Sequence, residues 1–389
     1  MAKKRVVIVG AGVLGLSCAS ELCDDPDLHV TVLDRRYPGS GSTGLSAGVY
    51  TRTYLNADDI ELRVASVNRL MAHAEAGIVT LRRIGVLRLA RDTTVATRYR
   101  EAAEVQRSLG VEDATVLDPE ELSRVLPDFD ADGVVAALYC PSDGYLDGAE
   151  LCAGLAERVQ AAGVELVVRG GVQGLRRQST GGYELVTTHG DIAADVIVNC
   201  AGAWAQHVGE LLEAPVRVVN ERHEAYVFAL PDDVAGTIPM TLDNVPGDGQ
   251  EGLYFRQEGE RQLVVGLHAN EILGEEQTAP DDCYAGATQD RVELVVERLA
   301  AAFPRLDGIG YQSGWAGMYP HSPDGRGYAG PHPDNADILI AGGLGGVGLS
   351  VAPHLGSVLA DWIRHGEPRS QIGAGFDPSP AVTAPGSRA

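Results

Sequence analysis

Lysine is almost absent from this chain of 389 residues. Lys3 and Lys4 are its only two lysines, and the other 29 of its 31 basic residues are arginine. Beyond the first residues, therefore, no lysine amine can serve as a nucleophile or a base. Basic residues are also outnumbered by 54 acidic ones, so the formal net charge is −23. A phosphate-backbone partner requires a concentrated positive surface, so we expect no nucleic-acid partner.

Paired cysteine motifs and long hydrophobic runs are absent as well. The six cysteines are scattered without a CxxC pair or a Cys/His cluster, which predicts reduced thiols and no metal site. No segment approaches the roughly 18 consecutive apolar residues of a membrane-spanning helix. The charged and apolar start contains three glycines and is followed by no A-x-A cleavage site, so we expect no signal peptide. These features predict a cytoplasmic protein without a membrane span.

What the chain does contain is a globular composition, with 44% hydrophobic and 22% charged residues, and a length sufficient for two or three domains. Its start predicts a βαβ unit: an apolar run at residues 5–9, helical spacing at 14–22 and another apolar run at 29–33. Further helices are predicted at 58–76, 93–109, 148–160 and 289–303, and a short one after the N-cap Asp118. Strands are predicted at 86–90, 164–168, 171–176, 183–188 and 196–199, and residues 216–317 are β-rich.

The βαβ unit carries a glycine loop of the form GxGxxG. Gly10 permits a tight turn, Gly12 lets a pyrophosphate approach the backbone, and Gly15 lets the helix pack on the sheet. The alternative is a purely structural glycine turn. Asp34, at the end of the next strand, would accept hydrogen bonds from the ribose hydroxyls, and its charge disfavours the 2′-phosphate of NADP. The loop therefore predicts a dinucleotide site for FAD or NAD.

Three further segments distinguish these two cofactors. Residues 36–48 form a loop of small residues that suits an extended cofactor, and residues 195–204 are an apolar strand that ends in small residues and a tryptophan. Each could instead be an ordinary loop or turn. Residues 338–350 form a second strand, glycine turn and helix, whose N-terminus could stabilise negative charge on a flavin. NAD binding does not need this second turn, so the pattern favours FAD.

Together, the four segments resemble the D-amino-acid oxidase superfamily of flavoproteins, and within it the sarcosine oxidase and glycine oxidase branch. The resemblance spans residues 6 to about 363. It implies an α/β fold, with a doubly wound, Rossmann-like FAD-binding domain from discontinuous segments and a β-rich α+β substrate domain. We assign residues 1–85, 147–215 and 326–370 to the first domain and residues 86–146 and 216–325 to the second. Residues 374–389, rich in Pro, Ala and Ser, are predicted to be a mobile tail.

The resemblance also implies how the cofactor is held. Monomeric sarcosine oxidases attach FAD through a cysteine where this chain has Gly317, and other branches use a histidine where it has Leu45 or Ser46. We therefore expect noncovalent FAD. The expected FAD contacts are Gly10, Gly12, Val13, Leu14, Gly15, Asp34, Arg35, Ser42, Thr43, Ser46, Ala47, Gly48, Val172, Ala201, Gly202, Trp204, Gly345, Gly346, Val347, Gly348, Leu349 and Ser350.

Several substrate-site residues of the branch differ here. Tyr319 aligns with the carboxylate-binding arginine of glycine oxidases, so Arg52 becomes the candidate for holding a substrate carboxylate; the alternative is a structural ion pair. Two lysines of sarcosine oxidases, one of which promotes the reaction with oxygen, are replaced by Val264 and Ser350. These replacements leave open whether sarcosine is the substrate and whether oxygen is the electron acceptor.

Three other side chains are candidates for the substrate site. His268 matches an active-site histidine of the family, although a histidine after a strand is often structural. Tyr254 and Tyr319 are candidate pocket walls, and packing residues otherwise.

The resemblance implies a reaction as well. Family members oxidise the C–N bond of a small amino acid or secondary amine by hydride transfer to flavin N5, which gives an imine that water hydrolyses. The acceptor that reoxidises the flavin is oxygen or another molecule. Two alternatives stay open: an FAD-dependent 2-hydroxy acid oxidase or dehydrogenase, and a flavin-carrying subunit of a hetero-oligomeric dehydrogenase. A monomer, a homodimer and a hetero-oligomer are all compatible with the sequence.

Overall fold

A computed structural model of the protein describes residues 3–179, 181–231, 234, 236–243, 251–268, 278–304, 309–372 and 375–382. The strands are β1 Lys4–Val9, β2 Leu28–Leu33, β3 Val49–Tyr50, β4 Arg82–Arg83, β5 Val86–Ala90, β6 Thr115–Leu117, β7 Ala136–Cys140, β8 Gly144–Tyr145, β9 Glu165–Val167, β10 Val172–Arg177, β11 Tyr183–Thr187, β12 Ile192–Ala194, β13 Val196–Asn199, β14 Val219–Ala229, β15 Met240–Asp243, β16 Gly252–Glu258, β17 Gln262–His268, β18 Gly310–His321, β19 Tyr328–His332 and β20 Asn335–Gly342. The helices are α1 Val13–Leu22, α2 Ala57–Glu75, α3 Thr93–Ser108, α4 Pro119–Val125, α5 Gly148–Ala161, α6 Ala205–Leu211, α7 Gln289–Ala302, α8 Gly348–His365 and α9 Ser379–Val382.

A six-stranded sheet in the order β19-β20-β13-β1-β2-β9 holds the two glycine turns. Its strands are parallel except β19, which pairs antiparallel to β20. Because β1, β13 and β20 run in the same direction, their carboxyl ends meet at one edge of the sheet. In open α/β sheets, ligands bind at that edge, where the strand order reverses direction.

The two faces of this sheet are covered differently. Side chains alternate along β1: Val6 and Ile8 pack with α1, α5 and α8, whereas Val7 and Val9 face the other way. On that second face they meet Leu185 and other residues of the three-stranded sheet β10-β11-β12, together with α6. The second layer is therefore largely a small β-sheet rather than the full layer of helices that doubly wound folds carry. The predicted mixed α/β class is confirmed.

An eight-stranded sheet in the order β18-β14-β17-β16-β15-β5-β7-β6 forms the second structural unit. Successive residues of β16 point to opposite faces: Leu253 and Phe255 pack in a core that includes α4 and α7, while Tyr254 faces away from it. All strands of this sheet come from residues 86–140 and 219–321, and those of the six-stranded sheet come from 4–33, 165–199 and 328–342. Domain boundaries at 85, 147, 216 and 326 stay a prediction.

Most of the predicted helices lie within one residue of their expected bounds, and the N-cap of α4 has the predicted capping box. Asp118 accepts the N–H of Glu121 at 2.8 Å, and the Glu121 carboxylate accepts the N–H of Asp118 at 3.0 Å. The expectation of a mobile tail from residue 374 does not fit residues 375–382. Ala381 is buried, and its carbonyl accepts the N–H of Arg217 at 2.8 Å. Residues 374 and 383–389 lie outside the described residues.

Two further features bear on the sequence expectations. In the part of the chain that the structure describes, no helix combines the length and hydrophobicity needed to cross a membrane. The six cysteines are all free thiols, five of them buried.

Candidate active site

The first glycine turn closes tightly against the neighbouring strand. Gly10 follows β1 with a φ of +113°, a backbone conformation that favours glycine. A Cβ atom there would lie 2.3 Å from the carbonyl oxygen of Cys200, and one at Gly15 would lie 2.0 Å from that of Gly10. Either would collide with backbone atoms. Glycine at these positions therefore permits the turn and the close approach of α1, as the sequence predicts.

A cavity of about 380 Å³ opens in front of this turn, a size typical of small-molecule sites. Its wall includes the loop of small residues, whose Thr43 hydroxyl accepts the N–H of Val13 at 3.2 Å and so caps the first turn of α1. Most of the expected FAD contacts line this cavity: Gly10, Gly12, Val13, Leu14, Asp34, Arg35, Ser42, Thr43, Val172, Ala201, Gly202, Trp204, Gly345 and Gly348. Gly15 lies behind the turn.

Asp34 lies at the end of the first cavity near α1. Its carboxylate accepts the N–H of Ala11 at 2.8 Å and that of Arg36 at 2.7 Å. Burial raises the pKa of this carboxyl, and the two backbone hydrogen bonds oppose the shift. Because each carboxylate oxygen has two lone pairs, Asp34 keeps capacity to accept hydrogen bonds from a ligand.

Trp204 forms another part of the cavity wall. Its ring lies under the Arg35 guanidinium, with 4.6 Å from Cζ to the ring centroid, and stacks near Tyr284 at 6.3 Å. The indole Nε1 is buried and has no hydrogen-bond partner among the described residues. A buried N–H without an acceptor is costly, so a ligand acceptor would stabilise it.

A second cavity of about 110 Å³ adjoins the first, because both lie against the same two segments, residues 40–49 and 343–350. The remaining expected FAD contacts line this second cavity: Ser46, Ala47, Gly48, Gly346, Val347, Leu349 and Ser350. The helix α8 begins between the two cavities, and its N-cap residue, Val347, offers no side-chain acceptor. The first N–H groups of α8 therefore point their partial positive charge toward this region.

Tyr254, Tyr319 and His268 come together at the second cavity, as the sequence predicts. The Tyr319 ring lies 5.8 Å from that of His268 and stacks on His223 at 3.9 Å. Burial raises the pKa of Tyr254 to about 12 and also raises that of Tyr319. Both phenols therefore keep their protons at physiological pH, and each can donate a hydrogen bond.

Glycines make room for these two rings. A Cβ atom at Gly346 would lie 2.5 Å from the ring of Tyr319, and one at Gly266 would lie 2.4 Å from the ring of Tyr254. The second glycine turn thus packs directly against the substrate-side tyrosine. This contact links the shape of the second cavity to the position of the turn before α8.

Arg52, the expected holder of a substrate carboxylate, is not among the described residues that line either cavity. Arg52 Nε donates to Asp143 Oδ1 at 2.7 Å, and its backbone N–H donates to Asp143 Oδ2 at 2.6 Å. A terminal nitrogen of Arg52 also donates to the Ser142 hydroxyl. Asp143 is fully buried and Arg52 is 5% exposed. Arg52 therefore belongs to a buried structural ion pair, the alternative noted above.

Two arginines that were not predicted as site residues line the second cavity. They are Arg63 from α2 and Arg88 from β5. They are 2% and 6% exposed. The sequence does carry a signal for them: Arg63 lies on the apolar face of α2 with Ile60 and Val67, and Arg88 interrupts the apolar run of β5. A charge on a face that is otherwise buried suggests a partner inside the protein. His223, another residue of this wall, was also missed.

A largely parallel sheet with a glycine turn at its carboxyl edge, adjoined by a smaller cavity under a second sheet, is typical of a dinucleotide-dependent oxidoreductase. The chain belongs to the FAD dependent oxidoreductase family, whose model matches residues 5–362. The predicted family is thereby confirmed, and the family binds FAD.

Three known proteins illustrate what the chain is similar to. It is 28% identical to human mitochondrial sarcosine dehydrogenase over 390 residues, which cover 96% of this chain and 41% of that protein. It is 25% identical to glycine oxidase from Geobacillus kaustophilus, with 93% of both chains covered. The fold of L-proline dehydrogenase from P. horikoshii superposes with a TM-score of 0.83 at 23% identity and 97% coverage of both chains. The chain thus spans about two-fifths of the length of the mitochondrial dehydrogenase.

Proposed function

We propose that the protein oxidises the C–N bond of a small amino acid or secondary amine with noncovalently bound FAD. The observation that carries this proposal is the pair of adjoining cavities, a large one at the glycine turns and a small one under the second sheet. A cofactor in the first and a substrate in the second would meet at the segments that both cavities share. Sarcosine dehydrogenase and glycine oxidase, by their names, act on small amino acids, which supports the same bond class here.

The residues of the first cavity fit FAD. Gly10 and Gly12 leave the backbone open for a pyrophosphate, Asp34 supplies acceptors for ribose hydroxyls, and Trp204 has an unpartnered N–H. When bound, FAD supplies the acceptor for a hydride. A noncovalent cofactor is supported by Gly317, which has no side chain to bond it, and by Cys200. Burial raises the pKa of this cavity-lining thiol to about 12, so little of it is the nucleophilic thiolate.

The second cavity supplies orientation rather than a strong base. Oxidation of the substrate removes a hydride from carbon and a proton from nitrogen, so that a C=N bond forms. Water then adds to this imine, which releases the amine and gives a carbonyl product. Tyr254 and Tyr319 stay protonated and can hold the substrate by hydrogen bonds, and His223 and His268 add imidazoles to the same wall. Positioning the substrate against the cofactor lowers the barrier substantially without a protein base.

An anaerobic screen tests this proposal. The purified flavoprotein is mixed without oxygen with small amino acids, secondary amines and 2-hydroxy acids, and the loss of the visible flavin absorbance is recorded. Bleaching by an amine, in a protein that elutes as a single species on sizing, supports the proposal. Bleaching by hydroxy acids but not by amines would favour the 2-hydroxy acid alternative and sink the proposal. Re-exposure of the bleached sample to air tests whether oxygen is the acceptor.

A further inference from the structure

We infer that Arg63 and Arg88 form the subsite for a substrate carboxylate. The inference rests on the proposed function, because it names the class of substrate for the same cavity: a small amine that bears a carboxylate. It assigns this role to two residues of α2 and β5 in place of Arg52.

The guanidinium groups of Arg63 and Arg88 both lie over the ring of Tyr54. The distances from Cζ to the ring centroid of Tyr54 are 3.8 Å for Arg63 and 5.2 Å for Arg88. Cation–π contacts hold the planar groups in place without neutralising their charge. Tyr54 thus orients both arginines and leaves their positive charge available.

Their hydrogen-bonding capacity is largely unused. Within the described residues, Arg63 donates no hydrogen bond, and its Nε is buried without a partner. Arg88 donates from Nε to the carbonyl of Thr53 at 2.7 Å, and no terminal nitrogen of it bonds a described residue. Neither arginine forms an ion pair with a described carboxylate. By contrast, Arg52 is paired with the buried carboxylate of Asp143.

Two unpaired positive charges buried side by side are unfavourable without an anion. Burial lowers the pKa of Arg88, while Tyr54 and Tyr99 oppose this shift in part and the charge of Arg63 adds to it. An anion in the cavity would offset the burial of these charges, since guanidinium and carboxylate match in charge and planar geometry. The cavity measures about 110 Å³ against about 380 Å³ for the first, a size that suits the carboxylate of a small molecule.

Ligand binding tests the subsite without turnover. The oxidised holoenzyme is titrated at neutral pH with propionate and with its uncharged isostere propionamide, and binding is measured by calorimetry and by the shift of the flavin absorbance. We expect propionate to bind at least about tenfold more tightly than propionamide. Arg63→Gln and Arg88→Gln should each weaken propionate binding by about tenfold or more and leave propionamide binding unchanged, whereas Arg88→Lys should restore part of the affinity.

Arg69→Gln is the matched control, because Arg69 lies on the same helix, pairs with Glu21 and lines neither cavity. It should bind propionate like the wild type. Equal affinity of the wild type for acid and amide would overturn the subsite even if the arginine variants fail to fold. Unchanged propionate binding in folded, FAD-containing Arg63→Gln and Arg88→Gln would overturn it as well. If the flavoprotein prefers propionate to propionamide but no amine bleaches it, the proposed reaction is refuted and the carboxylate subsite is not.

Discussion

Arg52 and Asp143 illustrate how a buried arginine can serve stability rather than binding. We predict that Arg52→Gln lowers the free energy of unfolding by about 3–5 kcal/mol, because it leaves the carboxylate of Asp143 buried and unpaired. Urea denaturation of the holoenzyme measures this change.

Arg69→Gln again provides the comparison. It removes an ion pair with Glu21 whose partners are about one-third exposed, and such pairs contribute about 1 kcal/mol or less. A variant of Arg52 with normal stability and a greatly increased KM would contradict the structural role and return Arg52 to the substrate site.

Substitution of Asp34 tests how the protein binds its cofactor. Asp34→Asn should weaken FAD binding by about tenfold or more, because a charged acceptor for the ribose hydroxyls is replaced by a neutral amide. Titration of the apoprotein with FAD, followed by flavin fluorescence, measures the dissociation constant. Asp27→Asn, in an exposed turn before β2, should bind FAD normally. Equal FAD affinity of Asp34→Asn and the wild type would be incompatible with the proposed role of Asp34.

The second glycine turn connects the cofactor cavity with the substrate cavity. Gly346→Ala should displace the ring of Tyr319, since the new Cβ would lie 2.5 Å from it. We expect kcat/KM to fall by about tenfold or more and stability to fall by about 1–3 kcal/mol. Steady-state kinetics with the best substrate of the screen measures the first change.

Gly286→Ala is the matched control for this substitution. No described atom lies within 4 Å of the Cβ that it would introduce, and its backbone does not require glycine. It should leave kcat/KM unchanged. If Gly346→Ala is as active as Gly286→Ala, the contact between the turn and Tyr319 does not shape the site.

Among the helices, strands and turns, the sequence predicts those whose signals lie within a short stretch of the chain. Apolar spacing and N-caps place the predicted helices, and the glycine turns and small-residue segments predict most of the cofactor cavity because those positions need close backbone approach. The helix α6 was not predicted, because no side chain caps its N-terminus. The strand β15 was not predicted, because its four residues are too few for a periodic pattern. β15 is defined by its pairing with β5 and β16, which are far away in the chain.

The substrate cavity was only partly predictable for the same reason. His268 and the two tyrosines are on strands whose partners create the cavity, and the family resemblance pointed to them. Arg52 and Arg63 are only eleven positions apart in the sequence. The fold alone shows that Arg52 pairs with Asp143 and that Arg63 lines the second cavity. The sequence shows both arginines, but it does not show that Asp143 lies beside Arg52 in the fold.

For the whole molecule, histidines whose pKa is lowered by the fold couple stability to pH. Burial lowers the pKa of His354, whose Nε2 bonds the carbonyl of Ile372, and also that of His73. A histidine whose folded pKa is depressed stabilises the fold above its unfolded pKa of about 6.5 and loses that contribution as the pH falls below it. Tm should therefore decrease as the pH falls from about 6.5 toward the depressed pKa of the folded state.

Variants identify the source of this pH dependence. His354→Gln should flatten the decrease of Tm below about pH 6.5, because the variant side chain does not titrate; one histidine accounts for at most about 1.4 kcal/mol per pH unit. His29→Gln, at an exposed position of β2, should keep the wild-type slope. An unchanged slope in His354→Gln would mean that other groups control acid stability.

The flavin content of the purified protein tests the central claim most directly. The protein is denatured with acid, the precipitate is removed, and FAD in the supernatant is quantified by absorbance and chromatography. We predict a yellow protein that releases close to one FAD per chain, with no flavin left in the pellet. A colourless protein that also fails to take up added FAD would contradict the claim, and flavin that stays with the precipitated chain would contradict noncovalent binding.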